Sequence, residues 1–177
     1  MSARHLTEWA VNLVTEQIQN NIESALADVN SALNNNQPLM GDPVLSYEAP
    51  RGYYIYPRAI GYRTPACFVI ADRIDFQKRE KGANHINANV RLNVSILIED
   101  KDAERITRKA YRYQSALQTV LDQVQLLSGD GALKIVVVVQ NAAFSPLYSN
   151  TEEPNAPGSV YRKEVSLELD CYAYEQV

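Results

Sequence analysis

A chain of 177 residues has the length of one ordinary domain and can bury a sizeable core. Hydrophobic residues make up 46% and charged residues 21%, which is typical of a globular protein and excludes a disordered or fibrous one. The net charge of −4 argues against a dedicated DNA-groove binder, which needs an excess of Lys and Arg. No apolar run approaches the roughly 20 residues that cross a bilayer, so we expect a protein made and used in the cytoplasm.

The first part of the chain has the pattern of one long helix. Apolar residues recur at spacings of three and four and predict an amphipathic helix over about 7–33. At about 1.5 Å per residue this helix would be roughly 40 Å long, which exceeds a strand of modal length. Its apolar stripe therefore needs a neighbouring molecule, or else the helix breaks or packs along the whole sheet, and both alternatives stay open.

Three segments in the middle of the chain are predicted as strands. Residues 53–56 and 66–70 are rich in aromatic or β-branched side chains. Apolar and polar residues alternate over 90–98, as in a strand with one buried face. The charged stretch before it, at about 73–88, predicts a long hairpin tip or an exposed arm.

A second helix and two more strands are predicted in the last half of the chain. The acidic cluster 99–102 favours a helix start, and the sequence Ser-Gly-Asp-Gly at 128–131 favours its end. An apolar run at 135–139 predicts a central strand covered on both faces, whereas alternation over 161–173 predicts a strand with one wet face. The segment 145–159 is too long for a tight hairpin and predicts an extended loop. The predicted core face of the second helix consists of Ile106, Ala110, Tyr113, Leu117, Val120, Leu121, Val124 and Leu127.

The order of these elements predicts the α+β class. Helix, strands, helix and strands follow one another without regular β-α-β alternation. We therefore expect a single domain spanning 1–177, in which a mixed, mainly antiparallel sheet carries two long helices packed on one face. Extended loops are expected at about 73–88 and 145–159.

Few residues form patterns of known chemistry. His5 and His85 adjoin no signature of a nucleophilic triad, and no glycine-rich phosphate loop is present. Cys67 and Cys171 belong to no Cys-x-x-Cys pair, so we expect two buried thiols. No catalytic residue, metal or cofactor is predicted, and we expect the chain not to be an enzyme.

One alternative from a different class remains. Asp72, Asp75 and Glu99 are carboxylates that a small metal-dependent nucleic-acid-processing enzyme could use as magnesium ligands. Asp72 follows a predicted strand, where aspartate is also common in an ordinary turn.

Two parts of the chain carry opposite charge, and tyrosine is abundant. Residues 51–91 hold eight basic and three acidic side chains, whereas residues 150–177 hold six acidic and two basic ones. Such patches can attract copies of the same chain or remain solvated. The 11 tyrosines, against 3 phenylalanines, suit protein interfaces, because each combines a large contact area with a hydroxyl group.

The layout resembles the tail terminator, or tail completion, family of long-tailed bacteriophages. This resemblance covers nearly the whole chain in the order of its elements. The features that carry it are the long N-terminal helix, the sequence Pro57-Arg58-Ala59-Ile60-Gly61-Tyr62 within 53–72, the strand over 90–100 that leads into Glu104-Arg105-Ile106, the helical sequence Tyr111-Arg112-Tyr113-Gln114-Ser115-Ala116-Leu117, and the paired C-terminal strands.

The resemblance implies a structural virion protein of the tail or neck that is assembled in the host cytoplasm. It implies a homo-oligomeric ring, usually of about six subunits, that binds the last tail-tube subunits, stops tube growth and docks to the head connector. DNA would pass through the ring without specific binding, so the basic segment should face protein, and no membrane is involved. Other neck components, such as a head-completion adaptor or stopper, are the nearest alternatives. The predicted interface residues are Arg73, Lys78, Arg79, Lys81, Tyr148, Glu152 and Glu153.

Overall fold

The computed structural model describes residues 5–35, 48–55, 61–77, 85–128, 133–151 and 158–176. Two helices and seven strands are found in these ranges, which confirms the predicted α+β class. In chain order they are α1 (Leu6–Asn35), β1 (Gly52–Tyr54), β2 (Ala66–Phe76), β3 (His85–Asp100), α2 (Ala103–Leu121), β4 (Gln125–Leu127), β5 (Leu133–Phe144), β6 (Tyr148–Ser149) and β7 (Tyr161–Gln176).

The strands form one mixed, mainly antiparallel sheet. Its order is β1-β2-β3-β7-β5-β4, and β6 also pairs with β7. Only β1 and β2 are parallel, and all other pairs of neighbours are antiparallel. The centre of the sheet is the long pair β3 and β7, which stay in register from His85 opposite Gln176 to Asp100 opposite Tyr161.

Both helices pack on one face of this sheet. Along β3, Val90 and Leu92 are fully buried, whereas Arg91 between them is exposed. We call the covered side the inner face and the helix-free side the outer face. The two helices run antiparallel to each other, because Gln17 of α1 donates to the carbonyl oxygen of Val120 and Asn30 contacts Arg112, nearer the start of α2.

Helix α1 packs along nearly its whole length. Its 30 residues measure about 45 Å, and most apolar positions from Leu6 to Leu26 are buried against α2 and the sheet, while Trp9 and Leu13 are partly buried. Only towards the end does the stripe emerge, where Leu33 is 40% exposed. The second alternative for this helix, packing along the sheet, is therefore the one the structure shows.

Helix α2 starts as predicted and ends earlier than predicted. Asp102 is the N-cap residue, and its carboxylate accepts a hydrogen bond from the backbone N–H of Arg105 at 2.7 Å. The helix ends at Leu121, after which Gln123 has a positive φ of 56° and the chain enters β4. The prediction of a helical core face reaching Leu127 was wrong, because the turn at Gln123 leaves Leu127 on the strand, 55% exposed.

Strand β5 is covered on one face only, so the prediction of a strand buried on both faces was also wrong. Ile135 and Val137 are fully buried on the inner face. Val136 is half-buried and Lys134 is exposed on the outer face, where neither of the described helices packs. An uninterrupted run of valines does not distinguish these cases, because a β-branched residue is also stable on a partly open face.

The two predicted loops are shorter than expected at their described ends. Strands β2 and β3 pair as far as Phe76 opposite Ala88, and Gln77 donates to the carbonyl oxygen of Asn87 at 2.9 Å. The segment after β5 adds β6, which continues along β7. Residues 78–84 and 152–157, which hold the remainder of these two loops, lie outside the described residues.

Candidate assembly surfaces

The predicted interface residues are only partly within the described chain. Arg73 lies on the outer face of β2, and its guanidinium pairs with the carboxylate of Asp75 at 2.8 Å. Tyr148 lies on β6 with 58% of its surface exposed. The prediction remains open for the other five residues, which lie outside the described residues: Lys78, Arg79, Lys81, Glu152 and Glu153.

Part of the charge in the two predicted patches is paired within the chain. The register of β3 and β7 places Arg91 opposite Asp170, and its Nε lies 3.4 Å from carboxylate oxygens of both Asp170 and Glu168. Eight residues further along the same strand pair, Nε of Arg162 lies 2.5 Å from Oε1 of Glu99. Exposed ion pairs contribute at most about 1 kcal/mol each. These charges therefore contribute less to the attraction of another copy than their positions in the sequence suggest.

A buried carboxylate anchors the start of α2 to the end of β3. The side chain of Asp100 is 4% exposed and accepts hydrogen bonds from Arg105 Nε at 2.8 Å, from Lys109 Nζ at 2.9 Å and from the backbone N–H of Asp102 at 3.1 Å. Burial alone would raise the pKa of Asp100, but these hydrogen bonds outweigh burial and lower the pKa to about 2. Asp100 is therefore ionised at neutral pH and holds two cations of α2 in place.

A polar cleft of about 220 Å³ lies beside this anchor. Its charged groups are paired inside the chain: Arg51 with Glu48 at 2.7 Å, and Glu99 with the hydroxyl of Thr64 at 2.9 Å and with Arg162. The fourth charged group, Lys109, is paired with Asp100. These hydrogen bonds and ion pairs connect the chain before β2 to the end of β3. Each charged side chain of the cleft has a partner of opposite charge within the chain.

The fold also buries one arginine that the sequence pattern did not identify. Arg112 is 4% exposed between the helices, and its guanidinium donates to the side-chain oxygen of Asn30. Desolvation, with a smaller contribution from the charge of Arg108, lowers the pKa of Arg112. No local signal reveals this burial, because it depends on the way α1 crosses α2.

The carboxylates of the alternative enzyme hypothesis are far apart. Asp72 sits at the irregularity between Ala71 and Arg73 and is exposed. Asp75 pairs across the sheet with Asn89, and Glu99 lies ten residues further along β3, which is a distance of about 33 Å. The structure therefore does not bring these three side chains together. Within the described ranges, no group of three or more His, Cys, Asp or Glu residues could hold a metal ion.

Large apolar side chains form a first exposed cluster beside the end of β5, which we call the β5-edge cluster. It consists of Tyr111 and Phe144, which are 52% and 39% exposed. Leu147 and Tyr148, 40% and 58% exposed, follow in the chain, and Tyr148 lies opposite Arg162 on the outer face. The rings of Tyr111 and Phe144 meet edge to face with centroids 5.2 Å apart, so α2 and β5 build this surface together.

A second cluster lies at the opposite edge of the sheet, beside β1, and we call it the β1-edge cluster. Phe68 is stacked with Tyr54 at 5.4 Å and contacts Tyr62 edge to face at 5.9 Å. Phe68 itself is only 8% exposed, and the exposed apolar side chain at this edge is Ile55, directly after β1, at 57%.

A third apolar surface, the outer-face patch, lies at the other end of the sheet. Tyr172 and Tyr174 are 45% and 43% exposed, and the register places Val136 directly beside Tyr172. Leu127, 55% exposed on the edge strand β4, is separated from Tyr174 by the exposed Lys134 and does not belong to this patch. His85 is stacked on Tyr174 with centroids 5.4 Å apart. The wet face predicted for the last strand over 161–173 includes Tyr172, but only the strand order places Val136 beside it.

Comparisons with known proteins provide no family. No family model and no curated protein matches the chain. Among solved structures, a chain of the "Virion of native gene transfer agent (GTA) particle" is similar, with 12% sequence identity over 88% of this chain and 93% of that chain and a TM-score of 0.42. A likeness at this TM-score carries no argument about function. Among the described helices, none is both long and apolar enough to cross a membrane.

Proposed function

We propose that this chain is a structural virion subunit of the tail terminator kind. In this proposal, copies of the chain form a ring, of about six subunits, that caps the tail tube and docks it to the head connector. The ring acts by binding proteins on its two sides and by leaving a passage for DNA. It uses no catalytic group and no cofactor.

The observation that carries the proposal is the distribution of exposed apolar side chains. Monomeric proteins rarely expose contiguous apolar patches larger than a few hundred Å², and such patches mark sites of protein association. Two of the three surfaces, the β1-edge and β5-edge clusters, lie at opposite edges of one sheet. Contacts between unlike surfaces of identical copies generate rings when the rotation closes. The outer-face patch is separate from both edges and is available for a protein of the next layer.

The order of elements supports the same conclusion. A long N-terminal helix is followed by β1 and β2, a long strand β3 leads directly into α2, and β5 and β7 pair near the C-terminus. This is the layout on which the resemblance to tail terminators rests. A head-completion adaptor or stopper differs from a terminator in its partners, so the experiment must distinguish those partners.

The first experiment measures the solution mass of the purified chain by light scattering at several salt concentrations. We expect one discrete species of about six times the 19.9 kDa chain mass. Because the proposed contacts are mainly apolar, this species should persist when salt is raised to about 1 M, where exposed ion pairs are screened. A chain that stays monomeric at the highest attainable concentration would contradict the proposed ring.

The second experiment tests the partner by electron microscopy of the protein mixed with tail tubes or with connectors. A terminator should sit at the ends of tubes, whereas binding to connectors alone would favour an adaptor or stopper. The double variant Tyr172→Ser, Tyr174→Ser should keep the ring and weaken tube binding, because it alters only the outer-face patch. A variant that binds tubes like the parent would exclude this patch as the contact.

A further inference from the structure

Strand β5 has an open backbone edge. Strand β4 pairs only with residues 134–136 of β5, and the N–H groups of Val137 and Val139 are taken by Val124 and Asp122. Beyond Val139, no described strand pairs with this side of β5, and residues 140–144 are all exposed. A strand edge with free N–H and C=O groups is a template for pairing with another strand.

The opposite edge of the sheet is level with this open segment. The registers connect Tyr54 to Phe68, Phe68 to Ser95, Ser95 to Ser166 and Ser166 to Ala143. Strand β1 and the end of β5 therefore lie at the same position along the strand direction. Across the sheet they are about four strand spacings, or 19 Å, apart. The two edges can continue one sheet from copy to copy without a step along the strands.

The directions of the two strands also fit. Strand β1 is parallel to β2, and three antiparallel steps separate β2 from β5, so β1 and β5 run in opposite directions. If the next copy continues the sheet with the same orientation, its β1 pairs antiparallel with β5. Antiparallel pairing is the commoner and slightly more stable arrangement.

Other parts of the sheet edge carry features that discourage pairing, and these two segments do not. The part of β2 that extends beyond β1 has a bulge at Asp72 and the charged residues Arg73 and Asp75, which are typical protections of an edge. By contrast, residues 140–144 read Gln-Asn-Ala-Ala-Phe, and residues 52–55 read Gly-Tyr-Tyr-Ile, with no charge and no proline. Each segment also adjoins an aromatic pair: Tyr111 and Phe144 beside β5, and Tyr54 and Phe68 beside β1.

From these observations we infer that neighbouring copies of this chain join by antiparallel pairing of the β5 edge at 140–144 with β1 of the next copy. In a sheet continued this way, Tyr54 and Phe68 of the β1-edge cluster lie on the outer face of the junction. Tyr111 and Phe144 of the β5-edge cluster lie on its inner face. The inference rests on the proposed ring and assigns its subunit interface. Only a second copy supplies both edges at matching levels and opposite directions, which is why we assign this partner and not a different protein.

The direct test removes one backbone donor from the β5 edge. Ser145 donates its N–H to Glu164 of β7, and donors alternate along a strand, so the N–H of Ala142 points to the open edge. Ala142→Pro should therefore raise the subunit concentration needed for half-assembly by about tenfold or more, because a hydrogen bond is lost and a partner strand is blocked. Ala142→Ser retains the N–H at the same position and serves as the matched control.

A second variant tests the other edge independently of β5 folding. Ile55→Lys places a charge beside β1, where it should oppose pairing with the next copy to a similar extent. Asn12→Lys adds the same charge at an exposed position near the start of α1 and should leave assembly unchanged. Unchanged circular dichroism of all four variants would show that they are folded.

Cross-linking distinguishes this head-to-tail contact from a symmetric one. A chain carrying both Ile55→Cys and Ala142→Cys should form ladders longer than a dimer with a short bismaleimide, whereas each single variant should remain uncross-linked. The native Cys67 and Cys171 are fully buried and do not interfere. Dimers formed by a single variant would overturn the inference, because they require a contact between like edges.

The outcomes separate the interface from the function. If the parent chain forms rings and both edge variants form them at the same concentrations, the strand pairing is wrong and the proposed function stands. If the parent chain never assembles, the ring is wrong, and the edge pairing fails with it.

Discussion

Replacement of Asp100 by asparagine is expected to destabilise the corner where β3 meets α2. The carboxylate of Asp100 is 4% exposed and is held by Arg105 and Lys109. Its pKa is lowered from an ordinary 3.8 to about 2, and one pKa unit corresponds to about 1.4 kcal/mol. The ionised carboxylate therefore contributes about 2 kcal/mol at neutral pH, which Asp100→Asn should remove.

The assay is urea unfolding followed by circular dichroism. With a slope of about 2 kcal/mol per molar urea, a loss of this size lowers the unfolding midpoint by about 1 M at pH 7. The sign follows from the lowered pKa: the contribution is present above pH 3.8 and is lost as pH falls towards about 2. The difference between the variant and the parent should therefore shrink over that range.

The control is Glu104→Gln, which removes an exposed partner of Arg108 in the same helix. Because the Glu104 side chain is 75% exposed, the change should cost less than about 0.5 kcal/mol. Equal midpoints for Asp100→Asn and the parent at pH 7 would refute the assigned role of Asp100. A difference that persists unchanged at pH 2 would show that the effect is not due to its charge.

Two further predictions test the core. Leu117→Ala removes a fully buried side chain and should lower the free energy of unfolding by about 2–5 kcal/mol. Leu127→Ala, at a 55% exposed position, should change this free energy by less than about 0.5 kcal/mol. Similar losses for the two variants in urea unfolding would contradict the early end of α2. Burial raises the pKa of Cys67 and of Cys171 to about 12, with the charge of Asp170 adding at Cys171, so both thiols should resist alkylation in the native chain at pH 8 and react after unfolding. Because these pKa values are raised on folding, stability should fall above pH 9, where the thiols of the unfolded chain ionise. Rapid native labelling, measured by mass spectrometry, would contradict the buried positions.

Local patterns in the sequence were sufficient for the main elements. Helix α1, the alternating strands β3 and β7, and the start of α2 at Asp102 all appear where the pattern predicts them. Apolar residues recur every three to four positions in a helix, and every second position in a strand, whenever one face of that element is buried. This pattern can be read within each element, without knowledge of its neighbours. The ends of elements were less certain, because a three-residue strand such as β4 is too short to show a period.

The assembly surfaces depend on strand order, which no local period encodes. Because β7 lies between β3 and β5, Arg91 pairs with Asp170, although these residues are 79 positions apart in the chain. Two charges that the sequence suggested for binding a partner are therefore paired with each other inside the chain. The same order leaves the end of β5 open beside Phe144 and sets it level with β1. The sequence by itself thus determined which residues face inwards along each element. Only the tertiary structure decided which edges and side chains remain for another molecule, because exposure is what is left after all long-range contacts have formed.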